Sequence, residues 1–539
     1  MISDKESGGH RITRAAGAIS SGVLVSRLLG FIRDMIIAKL FGAGMYADAF
    51  FVAYRIPNTL RELFGEGALS ASFVPVFSQT LNREGKEGAW HVARISATLL
   101  AALLILIVIV GIALAPLIVW VMAPGFRIYP EKLQITIFLT RITFPYVFFV
   151  GMSALFMGIL NSLRHFAAPA MAPSMLNLAV IFSALILSPH LNPPVLSLAV
   201  GVLLGGIGQM LIQVPGVRGE GARFYPDFEL RNPAVRKIAK LMLPGIMGLA
   251  INQANFFVST LLASLLREGS VSFLYYSYRL IQIPIGLIGV ALGTAMLPFL
   301  STSAATGSHQ ELKHINSLAL RLGFFLTIPF TAGLIIFRHP IVALLFERGQ
   351  FTAPMTQEVS STLFFLSFGI CFYVADRIVV PAFYSLQDTR TPAIISAIAV
   401  GVDILFSLLL MGPLQVRGLA LATSIASFAH FSLLIGLLRK KIGRLGGREI
   451  LNSFLRTLLA ALPMSILSYY LVVKWSPLQQ AGILERAALL ALEILIGLAT
   501  YLGTALLLRS DSVLFLFQAL RRRFGKRAVD GNEGSAKNT

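Results

Sequence analysis

The sequence predicts an all-α polytopic membrane protein of about 14 transmembrane helices, built as two pseudo-symmetric six-helix lobes plus two C-terminal helices. Three observations predict it. The 539 residues are 56% hydrophobic and only 13% charged, and apolar stretches recur at spanning length. The chain repeats part of itself at a displacement of 223 residues. Its basic residues gather in alternate loops.

A helix needs about 20 apolar residues to cross the hydrocarbon core. Qualifying windows are centred near residues 29, 60, 105, 148, 180, 205, 252, 287, 325, 367, 402, 428, 462 and 497. Backbone groups in lipid must bond internally, which leaves helices or closed barrels. Residues 99–123 are apolar on every face, whereas barrel strands alternate over about 10 residues, so the barrel is excluded. Arg27 and Arg33 lie inside the first window and no small-residue cleavage site follows it, so that segment is expected to remain rather than be removed as a signal peptide.

The net charge of +20 in a soluble chain would point to nucleic acid. Here the basic residues mark loops instead. Residues 217–240 hold Arg218, Arg223, Arg231, Arg236, Lys237 and Lys240, and residues 439–448 and 521–527 are similarly basic, while 189–194 has no Lys or Arg and 266–271 only Arg267. The positive-inside rule makes the basic loops, and both termini, cytoplasmic. The single cysteine, Cys371, excludes an intrachain disulfide. No phosphate loop or histidine pair at ligand spacing occurs, so no cofactor is expected, nor ATP-driven transport by this chain alone.

Ala68, Leu69, Pro75 and Ser78 recur as Ala291, Leu292, Pro298 and Ser301, and Ser162, Leu163, Pro169 and Ala170 as Ser385, Leu386, Pro392 and Ala393, each displaced by 223. This divides the chain into an N-terminal segment (1–16), an N-lobe (17–216), a basic linker (217–240), a C-lobe (241–440), two further spans (451–508) and a basic tail (509–539). Parallel repeats are a recurrent transporter plan, with the substrate site near the midplane at their interface.

Charges inside the first spans need a reason, because one at the bilayer centre costs ~2.5–3.5 kcal/mol even on lenient scales. Arg27 and Asp34 share a helix face, with Arg33 beside them; Asp48, Arg55 and Glu62 recur every seven residues, flanked by Arg61 and Glu66. Lys39, Arg83 and Arg94 read as end charges that reach the headgroups. Arg27, Arg33, Arg55 and Arg279 read as cavity-lining, and Arg279 repeats Arg55 one residue out of register. The planar guanidinium fork matches phosphate oxygens, which points to an anionic, phosphate-bearing cargo. Gly286, Gly289 and Gly293 read as a close helix contact or a bend. Asp376–Arg377 and Asp403 either bind a cation or pair, and Asp403, Ser407, Asn252 and Thr423 are candidate oxygen ligands for Na⁺. Glu493 stands alone in the last span.

The segments SRLLGFIRD (26–34), FGAGMYADAFFVAYRIPN (41–58), FGEGALSASFVP (64–75), APGF (123–126), ITFPY (142–146), YYSYRLIQIPIGLIGVALGT (275–294) and QDTRTP (387–392) carry a resemblance. The chain resembles the MurJ/MviN family of lipid II flippases, within the multidrug/oligosaccharidyl-lipid/polysaccharide exporter superfamily, over residues 17–508. The resemblance implies an inner-membrane protein of fourteen helices, two lobes around a cationic cavity, and a groove of the last two helices for an undecaprenyl tail. It implies lipid II as cargo for peptidoglycan synthesis, with membrane lipids and other cell-wall synthesis proteins as further partners. Carried over by motif, the family's functional arginines fall on Arg27, Arg33, Arg61 and Arg279, with Asp34 beside Arg33; Arg55 joins the substrate set from the stripe. The gating set is Asp48, Glu66, Ser272 and Gln282, where Gln282 stands at a position expected to be Glu in some relatives. The family's sodium pattern is incomplete here, so coupling to Na⁺, to H⁺ or to the membrane potential stays open.

The reading is therefore a transporter rather than an enzyme. A flippase for another polyprenyl-linked glycan, or a drug/cation antiporter of the same superfamily, is the alternative; the antiporter calls for acidic and aromatic cavity residues rather than arginines. A membrane enzyme needs a carboxylate or metal constellation at a membrane face, and the loops offer none.

Overall fold

The computed structural model describes residues 2–62, 69–229, 231–475, 482–510 and 512–513, with the side chains of residues 2–20, 70 and 243–252 outside the description. Every regular element among the described residues is helical. In chain order these are α1 (Ile2–Phe41), α2 (Met45–Arg61), α3 (Leu69–Ala113), α4 (Ala115–Met122), α5 (Pro130–Thr143), α6 (Tyr146–Ser162), α7 (Ala167–Leu187), α8 (Leu196–Leu211), α9 (Val214–Gly219) and α10 (Pro233–Ser264). They continue as α11 (Ser270–Pro284), α12 (Ala291–Ala305), α13 (His309–Phe346), α14 (Ala353–Ser367), α15 (Ile370–Ser385), α16 (Arg390–Leu414), α17 (Val416–Ile442), α18 (Gly447–Trp475) and α19 (Ile483–Leu507).

Among the described residues ten helices are long and apolar enough to cross a membrane, or eleven if the bent pair α14–α15 is one span. These account for eleven of the fourteen expected windows. The other three are centred near residues 29, 60 and 252. The first carries Arg27, Arg33 and Asp34, α2 has only 17 residues, and α10 includes side chains outside the description.

Proline and glycine shape the long helices. Proline lacks the N–H and crowds the preceding turn, and at Pro284 the helix α11 passes into a π-helical turn, Ile285–Val290, before α12. α3 leaves helical geometry at Gly85, φ 74°, a left-handed conformation that favours glycine.

The chain forms two compact units, Met1–Tyr275 with Phe346–Met355, and Tyr276–Leu345 with Thr356–Thr539. In the first, α7 packs on α1 and α8, α3 on α6 and α10, and α2 on α5. Its core gathers Phe73, Phe77, Leu104, Leu155, Ile159 and Leu160. The segment after α9 runs irregularly along this unit: Asp227 N–H donates to Thr98 Oγ1 (3.0 Å), Arg94 stacks over Tyr225 (4.5 Å), and His91 Nε2 lies 2.9 Å from Glu229. In the second unit α16 packs on α17, α12 on α15 and α18 on α19, around Phe325, Val374, Ile378, Phe383 and Tyr501. The glycine stripe is a close helix contact there. A Cβ on Gly293 would come 2.3 Å from the Arg377 carbonyl oxygen.

The repeat is visible as a turn built twice. α6 ends at Ser162 and α15 at Ser385, 223 residues later; α7 begins at Ala167 and α16 at Arg390, again 223 later. Arg164 and Gln387 both have positive φ, 64° and 58°. Arg164 N–H donates to Asn161 and His165 N–H to Leu160, while Gln387 N–H donates to Tyr384 and Asp388 N–H to Phe383. All of these positions correspond at the same displacement.

Each turn is tied by an acid. His165 and Lys86 hold the Glu220 carboxyl below its ordinary value of 4.5. Lys441, with the Thr391 hydroxyl and N–H, holds the Asp388 carboxyl well below its ordinary 3.8. A carboxylate lowered on folding stabilises the fold above its ordinary value, and that contribution is lost as pH falls through the lowered one. Asp388→Asn and Glu220→Gln are therefore expected to lower the unfolding temperature near neutral pH. The difference from wild type should shrink as pH falls from about 5 towards about 2, measured by thermal melts of purified protein; a pH-independent difference would contradict this.

Candidate functional site

The first cluster forms where α1 packs on α7. Arg33 Nε and Nη2 donate to Asp34 Oδ1 (3.0 and 2.8 Å), Nη1 donates to Asn177 Oδ1 (3.2 Å) and Nη2 also to Tyr275 Oη (3.1 Å). Tyr275 in turn donates to Asp34 Oδ1 (3.2 Å), and Asn177 Nδ2 donates to the Ser26 carbonyl. The Phe51 ring stacks on Tyr275 at 3.9 Å. Asp34 is fully buried and the Arg33 side chain 11% exposed, so this ion pair survives in a low-dielectric setting because each partner has further hydrogen bonds. Arginine has five N–H donors, and these contacts use four of them. Arg27, two turns earlier on α1, is exposed.

The second cluster forms at the α1–α2 turn. Asp48, in the first turn of α2, accepts from Lys132 Nζ (2.7 Å) and Gly269 N–H (2.8 Å) on Oδ2, and from Ser272 N–H (2.8 Å) and Ser272 Oγ (2.6 Å) on Oδ1. The Asp48 side chain is 1% exposed and that of Lys132 3%. Lys132 Nζ also lies 4.2 Å from the Phe126 ring centroid. Gly269 has φ +87° and a Cβ there would sit 2.4 Å from the Ala43 carbonyl, so glycine is required for this approach. Next to it, Met45 N–H donates to Glu268 Oε1 (2.7 Å), Ala43 N–H to Met355 Sδ (3.3 Å), and Gln350 N–H to the Lys39 carbonyl (2.9 Å). Asp48 thus clamps the start of α2 to the start of α11, corresponding elements of the two repeats.

The third cluster is the C-terminal half of α2. Arg55 lies over the Phe256 ring at 4.8 Å. Arg61 donates to Asn58 Oδ1 (3.1 Å) and pairs with Glu62 (3.5 Å), and Glu62 also accepts from Asn58 Nδ2 (2.9 Å) and Gln253 Nε2. Tyr54 donates to Asn58.

In the second unit Arg279 is half-buried and Gln282 exposed on α11. Asp403, Ser407 and Thr423 lie near one another and all three are buried; the Thr423 hydroxyl donates to the Leu419 carbonyl (2.9 Å) and accepts from Tyr278 Oη (3.1 Å). These oxygens suit a hard cation such as Na⁺. Asn252, proposed as a fourth ligand, has its side chain outside the described residues, as has Glu66. No group of three or more His, Cys, Asp or Glu at metal-binding distance occurs among the described residues.

Sequence reasoning missed Lys132, Asn177 and Tyr275. Lys132 sits at the start of a span and reads as an ordinary end charge; Asn177 and Tyr275 carry no charge to single them out.

Ten or more helices able to cross a membrane, with buried ion pairs among them, define a multi-pass membrane protein. A solved multidrug resistance MATE family transporter of the MOP superfamily, in an inward-facing conformation, has the same fold: TM-score 0.66 at 16% identity, covering 80% of this chain and 98% of that one. The chain belongs to the lipid II flippase MurJ family, whose model matches residues 37–486. It is 36% identical over 85% of its length to a probable lipid II flippase MurJ of Buchnera aphidicola subsp. Schizaphis graminum, covering 90% of that relative. It is 34% identical to that of Vibrio cholerae, covering 92% of this chain and 96% of the relative. A solved lipid II flippase MurJ in an inward closed conformation aligns with TM-score 0.76 at 26% identity, covering 93% of this chain and 99% of that one.

The Asp48 clamp is open to test. Removing the ammonium strands a buried carboxylate, so Lys132→Met is expected to cost about 2 kcal/mol or more, while Lys132→Met with Asp48→Asn recovers a large part of it. A double-mutant cycle of unfolding midpoints checks this; strictly additive effects would show that the two groups do not depend on one another.

Proposed function

We propose that this chain carries lipid II from the inner to the outer leaflet of a bacterial cytoplasmic membrane by alternating access, supplying peptidoglycan synthesis. The family match over residues 37–486 carries this reading. The arginines of α1 and α2 supply its chemistry. A pyrophosphate with a bulky sugar-peptide headgroup cannot cross hydrocarbon unaided, whereas a C55 tail can stay in lipid. A dry cationic wall replaces the water that the phosphates give up, and guanidinium forks match their oxygens.

Roles follow from the surroundings of each residue. Exposed Arg27 presents its fork to the pyrophosphate. Arg33, held by Asp34, Asn177 and Tyr275, is a fixed positive charge with one N–H left over, and tunes the field there. Arg55, Arg61 and Arg279 extend the substrate set. Asp48 with Ser272 latches the end that the positive-inside rule puts outside, with Lys132 holding Asp48 from α5; parting the start of α2 from the start of α11 breaks three hydrogen bonds together. Both termini are cytoplasmic on this reading. Transport needs no covalent step, so directionality comes from the potential acting on charged side chains, about 2.3 kcal/mol per charge per 100 mV, alone or with a cation for which Asp403, Ser407 and Thr423 supply oxygens. The α18–α19 pair is assigned to the tail.

Depletion of the protein in its host is expected to raise total lipid II while outer-leaflet lipid II falls. Arg27→Ala and Arg33→Ala are expected to fail to restore growth at wild-type protein level. Outer-leaflet lipid II unchanged on depletion, in a host without a second flippase, would contradict the proposal; normal growth of both variants would return the two arginines to an end-charge role.

A further inference from the structure

The transport reading leaves a buried polar cluster on α15, α16 and α17 unexplained. On α15, Asp376 Oδ2 lies 2.9 Å from His430 Nδ1 on α17, with side chains 12% and 15% exposed. His430 Nε2 lies 3.2 Å from Ser396 Oγ on α16. The other carboxylate oxygen, Asp376 Oδ1, is buried and has no hydrogen-bond partner among the described residues. Three adjoining helices thus converge on a histidine–carboxylate pair in a membrane interior, where ionisable groups are costly and normally functional.

The surroundings separate this group from the Asp403 set. Ser396 and Asp403 are seven residues apart on α16, and Thr423 and His430 seven apart on α17, so the two polar layers share one helix seam at ~10 Å separation. Tyr373, one turn before Asp376, interacts with Tyr278, Asp403 and Asp376, and Arg377 acts on Asp376 from the next position. α12 and the π-helical turn, which pack on the other side of α15, contain no ionisable residue. Of the charged and titratable groups around the pair, Arg377 and Tyr373 act on Asp376, while Tyr278 and Asp403 act on Tyr373; α13, which packs on α15 at Gly323 and on α17 at Phe324, carries Arg321.

We propose that Asp376, His430 and Ser396 form a proton-binding site. With one shared proton the pair is neutral overall, as imidazolium with carboxylate or imidazole with carboxylic acid. A second proton, taken from water, adds to the unpartnered Asp376 Oδ1, and the pair becomes imidazolium with carboxylic acid, charge +1. Ser396 Oγ accepts from the imidazolium Nε2–H. Release of the Oδ1 proton to water restores the starting state. One charge is gained and lost per cycle, and the membrane potential acts on it. A pair that only fastened three helices would gain nothing from an unsatisfied buried carboxylate oxygen. Proton binding stands independently of the cargo; its link to transport rests on the flippase reading.

The test uses full-length purified protein with ¹⁵N-labelled histidine in lipid nanodiscs. The chain has eight histidines, and the His430 signals are assigned by their loss in His430→Gln. His430 is expected to change protonation state with pH, and its midpoint to move by about one unit or more in Asp376→Asn and by less in Ser396→Ala, which keeps the pair. A His430 frozen in one tautomer between about pH 5 and 8, unaltered in Asp376→Asn and Ser396→Ala, would overturn the site. In liposomes with lipid II, an imposed pH gradient is expected to accelerate transport by wild type but not by His430→Gln. A wild-type rate indifferent to the gradient would overturn the coupling while leaving the titration to decide the site. Absence of any lipid II movement would instead count against the flippase reading.

Discussion

The interaction on which the rest of the structure depends is the pairing of buried charges with hydrogen-bond partners inside the helical bundle. Asp48 illustrates it: a carboxylate 1% exposed is held by an ammonium, two backbone N–H groups and a hydroxyl drawn from three different elements. Its desolvation is offset only when all are present together, so the contact is either complete or broken. Such all-or-none behaviour suits a gate, and it explains why glycine is fixed at 269, where any side chain would strike the Ala43 carbonyl.

The same pairing decided what could be read from sequence. Helices and the repeat were legible because lipid demands long apolar runs and because duplicated turns keep their backbone needs: the positive-φ positions Arg164 and Gln387 fall 223 apart, as the flanking Ser162 and Ser385 do. Arg33, Asp34 and Asp48 were legible because charge is improbable there. Their partners were not. Lys132 lies 84 residues from Asp48, Asn177 lies 144 from Arg33 and Tyr275 lies 242 from it, and no local pattern links positions so far apart. Of the oxygens weighed for Na⁺, Asp403 and Ser407 lie one turn apart on α16 and Thr423 lies on α17. The fourth residue, Asn252, lies outside the described side chains.

Polar groups here therefore sort by how completely they are satisfied. Arg33 spends four donors on buried partners, whereas Arg27 is exposed. Asp376 retains an unsatisfied oxygen and has room for a proton. Glu493 is buried on α19, and nothing in its surroundings gives it a role. A bundle whose ionisable groups differ in this way can hold some charges constant while others change during transport.

The central claim is most directly tested by lipid II movement in liposomes containing only purified protein, with lipid II placed in one leaflet and detected in the other by an enzyme that cannot cross. The account predicts transfer that requires the protein, is lost in Arg27→Ala with the fold intact by its melting curve, and leaves ordinary phospholipids where they were. Equal transfer by wild type and Arg27→Ala, or equal movement of phospholipid and lipid II, would contradict it.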